Sequence, residues 1–140
     1  MKTCVGIDAY YLSPPLRGIG VSINSLVQSL PTFSDIHFLV FATDKCTSNF
    51  GGDNVTLIKS RHCNPFVWYE SVLDKLIRDY PVNSLILTSG LHPIFLDYNV
   101  EKIAAFIHDV SYLSLVNNPL SWNVKSNIGR LYRSISFWKI

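Results

Sequence analysis

No run of apolar residues in this chain of 140 is long enough to cross a membrane. Apolar stretches such as Phe38–Ala42 last only a few residues, whereas a membrane-spanning helix needs about 20. Charged residues are also scarce, at 16% against 48% hydrophobic residues. Disordered chains show the opposite balance, with few apolar residues and a high net charge. The composition therefore predicts a packed domain without a transmembrane segment.

Cysteines are few, and the charges of the two signs nearly cancel. Twelve basic and ten acidic residues give a formal net charge of +2, which argues against a protein that holds nucleic acid through bulk charge. Cys4, Cys46 and Cys63 are an odd number without CxxC spacing, which is typical of reduced thiols. No apolar signal-peptide stretch precedes Asp8. We therefore expect an intracellular, cytoplasmic protein.

Short apolar runs alternate with stretches whose apolar residues recur at helical spacing. The runs lack polar alternation, as expected for parallel strands covered on both faces. The helical stretches place apolar residues at i, i+3, i+4 and i+7, and Pro31 and Pro81 end two of them. We therefore expect residues 1–140 to form one α/β domain with a Rossmann-like, doubly wound, mainly parallel sheet. The predicted strands are Cys4–Ala9, Ile36–Ala42, Val55–Ile58, Ser84–Thr88 and Ile103–Ile107.

The loop between the first strand and the first helix contains two glycines, Gly18 and Gly20. Ligands bind doubly wound sheets at loops that follow the carboxyl ends of strands. Glycine allows the backbone to approach a ligand closely, and the N-terminus of the next helix can receive a phosphate. Ile23 breaks the G-x-G-x-x-G fingerprint, so a simple tight turn explains the same glycines equally well.

Two later loops also follow predicted strands. The turn Thr88–Pro93 places small polar residues beside a glycine, which suits a substrate-lining loop but also an ordinary turn. The loop after the fifth strand contains His108 and Asp109, where an imidazole can face a ligand while the acid caps a turn. A single histidine is more often structural than catalytic. Both loops are candidate sites at the same edge of the sheet.

Motifs of several other site classes are missing from the sequence. There is no G-K-[ST] of a P-loop and no G-x-S-x-G of an α/β-hydrolase. His62 and Cys63 are adjacent and lack the paired spacing of a zinc site. We therefore expect no metal.

Three separated segments share their order and spacing with the motifs of one family. Val5–Ala9 and Arg17–Gly20 read GIDA…GIG, and Phe66–Glu70 contains a Trp and a Glu separated by Tyr69. Ala105–Ser111 reads AFIHDVS. Together these segments resemble the GIDA…GIG, P…WE and TIHDLS motifs of the family-4 glycosyltransferases.

The resemblance implies the N-terminal half of a GT-B enzyme, whose active site lies between two Rossmann-like domains. In that family the N-terminal domain receives the acceptor, and the C-terminal domain binds the nucleotide-sugar donor without any further cofactor. Carried over by residue, Gly18, Ile19 and Gly20 would lie near the donor phosphates. His108 and Asp109 would be the catalytic residues. The acceptor-side residues would be Glu70, Ser89, Gly90 and His92.

The donor-binding half of that fold has no counterpart in this sequence, which lacks a second Rossmann pattern and an E-x7-E motif. The expected function is the acceptor-side domain of a transferase that moves sugar to a glycan or lipid-linked acceptor in polysaccharide or cell-envelope synthesis. Without a donor-binding domain or partner subunit, the chain should not catalyse transfer. Two alternatives stay open: a stand-alone nucleotide- or sugar-binding module, and a truncated fragment without function.

Residues 122–140 carry four basic residues and no acidic residue. A basic amphipathic helix could rest on an anionic membrane surface, where lipid-linked acceptors are found. A helix that packs on the core and exposes its basic face explains the same pattern, and we favour this interpretation. Peripheral contact with the inner membrane face is the secondary hypothesis.

Overall fold

The computed structural model describes residues 3–89, 93 and 98–106, and its strands form a single parallel sheet in this part of the chain. The strands are β1 (Thr3–Asp8), β2 (Ile36–Thr43), β3 (Val55–Ser60), β4 (Ser84–Leu87) and β5 (Lys102–Ala105). Their order across the sheet is β3-β2-β1-β4-β5, and every neighbouring pair is parallel. The predicted Rossmann-like α/β sheet is confirmed.

The helices also lie between strands as the apolar spacing predicts. Helix α1 (Ile19–Ser29) follows β1 and passes into a 3-10 turn, Leu30–Thr32, that contains the predicted stop at Pro31. A longer helical stretch follows β3 and has three consecutive parts, which we call the composite helix. These parts are α2 (Pro65–Val67), a π-helical turn (Trp68–Val72) and α3 (Leu73–Asp79).

The sequence itself marks both ends of the composite helix. The side chain of Asn64 accepts a hydrogen bond from the N–H of Val67 at 2.9 Å, which caps the first turn. Pro65 occupies the first helical position, where a missing N–H carries no penalty. Tyr80 leaves the helical conformation one residue before Pro81, in agreement with the predicted end.

Two apolar clusters lie on opposite faces of the sheet. Helix α1 packs Ile23 and Val27 against Ile7 and Val40, while the composite helix covers the other face. Alternation along β1 points Gly6 toward that second face. A Cβ atom on Gly6 would lie 2.9 Å from the Phe41 ring. Glycine is therefore required for this close packing of β1 against β2.

The strand order reverses between β1 and β4. From β1 the chain adds β2 and β3 on one side, and β4 and β5 then extend the sheet on the other side. In open α/β sheets such a reversal opens a crevice outside the carboxyl ends of the two strands. The ends of β1 and β4 are therefore the expected position of a site.

Two predicted features lie partly or wholly outside the described residues. The basic segment 122–140 is one, and the loop after β5 is the other. Within the described residues, no helix combines the length and the apolar character needed to cross a membrane.

Candidate binding site at the carboxyl edge of the sheet

Asp8, the last residue of β1, is fully buried, and its carboxylate accepts hydrogen bonds from Tyr10, Trp68 and Tyr69. Its Oδ1 accepts from the N–H of Tyr10 at 3.1 Å and from Nε1 of Trp68 at 2.9 Å. Its Oδ2 accepts from the Tyr69 hydroxyl at 2.7 Å. Three donors on one carboxylate meet the requirement that a buried charge be hydrogen-bonded. They also fasten the composite helix to the end of β1.

The same network reaches the end of β4. The hydroxyl of Thr88 donates to the main-chain oxygen of Asp8 at 2.7 Å, which links the two strands where their order reverses. The Tyr69 hydroxyl also lies 2.6 Å from Oγ of Ser89, which is half-buried. We call the five residues joined in this way the Asp8 network: Asp8, Trp68, Tyr69, Thr88 and Ser89.

Burial governs the protonation of the two acidic groups in the Asp8 network. It raises the pKa of Asp8 to about 6, although hydrogen bonds from Tyr69, Tyr10, Trp68 and the main chain of Thr88 act in the opposite direction. Burial, and then the Asp8 charge, hold the pKa of Tyr69 well above its ordinary value. At neutral pH the carboxylate is therefore ionised and the phenol is neutral. Hydrogen bonds connect this buried charge through Tyr69 to the hydroxyl of Ser89.

The π-helical turn brings two consecutive aromatic residues to the same carboxylate. Trp68 and Tyr69 are both fully buried, and both donate to Asp8. Single π turns inside α-helices often occur at functional sites. The main-chain oxygen of Tyr69 accepts from the hydroxyl of Tyr98 at 2.7 Å, which holds the turn from its other side.

An open cleft of about 330 Å³ lies beside this network, between the β1–α1 loop and the segment after β3. We call it the Arg17 cleft. Tyr10 belongs to its wall and also packs on Trp68, with ring centroids 5.4 Å apart. The lining residues are Tyr10, Tyr11, Ser13, Pro15, Arg17, His62 and Pro65.

The wall of the Arg17 cleft is built around the Tyr10 ring. The ring stacks on His62 at 5.7 Å and meets Tyr11 edge-on at 4.9 Å between centroids. The Tyr10 hydroxyl donates to the main-chain oxygen of Cys63 at 2.6 Å. Burial raises the pKa of Tyr10 to about 12, so this hydroxyl keeps its proton. Asp44, which follows β2, accepts the N–H of His62 at 3.0 Å and fixes the outer wall.

Gly18 and Gly20 have two separate structural roles. Gly18 is exposed at the start of α1 with φ +45°, a conformation that favours glycine. A Cβ on Gly20 would lie 2.6 Å from the main-chain oxygen of Tyr11, so Gly20 allows α1 to approach the loop. The N–H groups of Gly20 and Val21 already bond the oxygens of Arg17 and Gly18. Fewer donors remain for a phosphate than at an open helix N-terminus, and phosphate contact at Gly18, Ile19 and Gly20 stays a prediction.

The structure places the predicted acceptor-side residues in different surroundings. Ser89 belongs to the Asp8 network. Glu70 is half-buried in the π turn and is not part of the lining of the Arg17 cleft. Four predicted site residues lie outside the described part of the chain: Gly90, His92, His108 and Asp109.

Sequence reasoning missed Asp8 as a candidate-site residue and assigned no polar role to Trp68 and Tyr69. The available signal was an acidic residue directly after the apolar positions of the first strand, which puts a carboxylate at the carboxyl edge. Both aromatic side chains are fully buried, and each carries a polar atom that needs a partner in the core. That partner is Asp8.

In the described residues, no group of three or more His, Cys, Asp or Glu side chains could hold a metal ion. Comparisons of the chain with protein-family models, curated proteins and solved structures return no match. The resemblance to family-4 glycosyltransferases therefore depends on the motif residues themselves.

Proposed function

We propose that this chain is the acceptor-side domain of a nucleotide-sugar-dependent glycosyltransferase that transfers sugar to a glycan or lipid-linked acceptor. One observation carries the proposal. Asp8, from the GIDA segment, accepts hydrogen bonds from both Trp68 and Tyr69 of the second motif segment. Segments about 60 residues apart in the sequence thus meet in one network at the reversal of strand order. Two motif segments that contact each other in the fold support the resemblance better than two segments that merely occur in the same sequence.

The described residues also supply the two features that an acceptor-side domain needs. A rigid, buried network fixes the carboxyl ends of β1 and β4. An open cleft with aromatic and polar walls lies next to it, and such clefts are the usual binding sites of small ligands. In this proposal Gly18–Gly20 face the donor phosphates, and Glu70 and the Ser89–His92 turn approach the acceptor.

Catalysis in this proposal needs a second, donor-binding domain. His108 would lie beside the transferred sugar and Asp109 would support its loop, as the resemblance implies. Transfer requires both substrates to be held in one closed site from which water is excluded. The proposed setting is the cytoplasmic side of a cell envelope, where nucleotide sugars and lipid-linked acceptors meet, and the donor-binding domain is the proposed partner.

The test separates acceptor binding from nucleotide binding. The purified chain is titrated with a saccharide panel and, separately, with uridine and guanosine diphosphate sugars, and amide chemical shifts are followed by NMR. We expect saccharides to shift amides around the Arg17 cleft and Ser89, with weak or no response to the nucleotide sugars. Tight nucleotide-sugar binding without saccharide binding would instead identify a nucleotide-binding module.

A transfer assay with radiolabelled nucleotide sugars completes the test. The chain alone should transfer nothing, and a separately expressed donor-binding domain with an E-x7-E motif should restore activity. His108→Ala should then abolish transfer, whereas His37→Ala, near the amino end of β2, should leave it unchanged. Transfer by the isolated chain that is lost in His108→Ala would refute the need for a donor domain.

A further inference from the structure

The Arg17 cleft brings a cation, aromatic rings and a hydroxyl group together without an opposing acid. Arg17 is exposed and forms no ion pair with any residue that the structure describes. Among the described residues, no Asp or Glu lines the cleft. Asp44 lies close to the lining, and its Oδ1 accepts the N–H of His62. An anion in this cleft would meet the guanidinium of Arg17 and no carboxylate among those lining side chains.

The chemistry of the lining identifies an anionic ligand with an apolar face. A guanidinium presents paired N–H groups that match a phosphate or carboxylate, and such charge-assisted bonds are the strong ones. The Tyr10 ring is buried and stacked on His62, whereas Tyr11 is partly exposed and meets Tyr10 edge-on, so Tyr11 is the more accessible aromatic ring of the wall. Ring faces favour the C–H side of a sugar, whose hydroxyl groups remain free for polar partners.

His62 supplies a polar group that the protein leaves unsatisfied. Its Nδ1 is buried and has no hydrogen-bond partner among the described residues, although its ring is held flat against Tyr10. Buried nitrogen atoms without a partner are uncommon in native structures. The His62 ring therefore belongs to the wall of the cleft, and its unpartnered Nδ1 lies beneath the surface that a ligand would meet.

We propose that the Arg17 cleft binds a saccharide that carries a phosphate or a carboxylate, with the anion at Arg17 and the sugar ring against Tyr11. The inference rests on the acceptor-side function proposed above, and it assigns the acceptor to the anionic sugars. The cleft volume of about 330 Å³ suits one substituted sugar ring, since pockets for larger ligands extend to about 1,000 Å³.

The experiment compares four probes at constant ionic strength by NMR titration of the full chain. Glucose 6-phosphate and glucuronate carry the two candidate anions, glucose is the neutral match, and inorganic phosphate is the anion without a sugar. We expect either anionic sugar to bind about tenfold more tightly than glucose, as one charge-assisted contact provides. Inorganic phosphate should bind more weakly than the preferred anionic sugar.

Two arginine variants assign the effect to the cleft. Arg17→Gln should remove the tenfold preference and leave glucose binding unchanged. Arg61→Gln is the matched control, because Arg61 is exposed next to His62 but does not line the cleft, and it should keep the preference. Because both side chains are exposed, both variants are expected to fold.

The possible failures separate this inference from the proposed function. Equal binding of glucose and the anionic sugars, unaffected by Arg17→Gln, would overturn the inference and leave acceptor binding in place. If inorganic phosphate binds as tightly as glucose 6-phosphate, the inference is also overturned, because the cleft would then bind the anion without contacting the sugar. Binding of nucleotide sugars alone would overturn the proposed function as well.

Discussion

The Asp8 network and the Arg17 cleft are neighbouring regions that differ in how far their polar groups are hydrogen-bonded or ion-paired. In the network, the buried carboxylate of Asp8 has three donors, and the buried Trp68 and Tyr69 each donate to it. In the cleft, Arg17 has no ion pair and Nδ1 of His62 has no partner among the described residues. A satisfied network fixes a geometry, whereas an exposed guanidinium without an ion pair, such as that of Arg17, is available to a ligand.

Tyr10 belongs to both regions: its main chain contacts the rigid network, and its side chain lines the cleft. Tyr10 donates its N–H to Asp8 and packs on Trp68, while its ring forms the wall of the cleft. A ligand would therefore meet a surface whose position is fixed from behind. Sites supported in this way hold their geometry better than sites on unsupported loops.

The largest expected effect comes from breaking the Asp8 network at Trp68. Trp68→Ala removes a fully buried side chain and the donor to Oδ1 of Asp8. Truncation of a buried aromatic residue lowers the free energy of unfolding by about 3–5 kcal/mol. Urea unfolding measures this loss. Phe66→Ala is the control on the same helix, because Phe66 is 46% exposed and should change stability by about 0.5 kcal/mol or less.

Equal losses in Trp68→Ala and Phe66→Ala would contradict this prediction, because burial at Trp68 would then contribute nothing. The comparison between the two regions also predicts that Arg17→Gln leaves the free energy of unfolding unchanged. A large loss at Arg17 would show that the cleft is part of the structural framework.

The second expected effect is a pH dependence of stability that originates at Asp8. Its pKa is raised from 3.8 to about 6, so the native protein binds more protons than the unfolded chain between these values. The Asp8 contribution is therefore most favourable below pH 3.8 and is lost as the pH rises through about 6. Each pKa unit corresponds to about 1.4 kcal/mol, which makes the total change about 3 kcal/mol.

Asp8→Asn isolates this contribution, because the amide does not titrate. The difference in unfolding free energy between the wild type and Asp8→Asn should shift by about 2 kcal/mol toward the variant between pH 4 and pH 7. The rearranged hydrogen bonds of the amide add an offset that does not vary with pH. A difference that stays constant across this range would show that the Asp8 carboxyl group has an ordinary pKa when folded.

The fold followed from the sequence because its signals are local. Apolar runs and helical spacing are properties of neighbouring residues, and Pro31 and Pro81 disfavour continuation of the α-helices that precede them. The strand bounds differ by only a few residues. For example, β3 extends to Ser60 because Thr43 and Ser60 pair across the sheet, a long-range contact that no local pattern contains.

The site was harder to predict, because its members are distant in sequence and ordinary in type. An acidic residue after a strand and two aromatic residues in a helix become a site only when the fold brings them within 3 Å. Gly18 and Gly20 were easier to identify, but glycine is needed at the two positions for different reasons. A positive φ explains Gly18, whereas the nearby oxygen of Tyr11 explains Gly20, and the second reason is visible only in the folded chain.

The smallest expected effect comes from Tyr10, the residue that contacts the Asp8 network and also lines the Arg17 cleft. Tyr10→Phe removes the hydrogen bond to the main-chain oxygen of Cys63 but keeps the ring against Trp68 and His62. Loss of one partly buried hydrogen bond should lower the free energy of unfolding by about 1 kcal/mol. Tyr80→Phe is the control, since Tyr80 is 45% exposed, and its stability should match the wild type in urea unfolding.

Ligand titration of Tyr10→Phe then shows whether the Tyr10 hydroxyl supports the wall of the cleft or contacts the ligand directly. If the hydroxyl only fixes the wall of the cleft, saccharide affinity should change less than twofold while stability falls, because the stacked ring that supports the wall is retained. An affinity loss as large as that of Arg17→Gln, without a loss of stability, would mean that the hydroxyl binds the ligand directly. The Tyr10 side chain as a whole would then belong to the cleft, and the carbonyl of Cys63 would belong to the network.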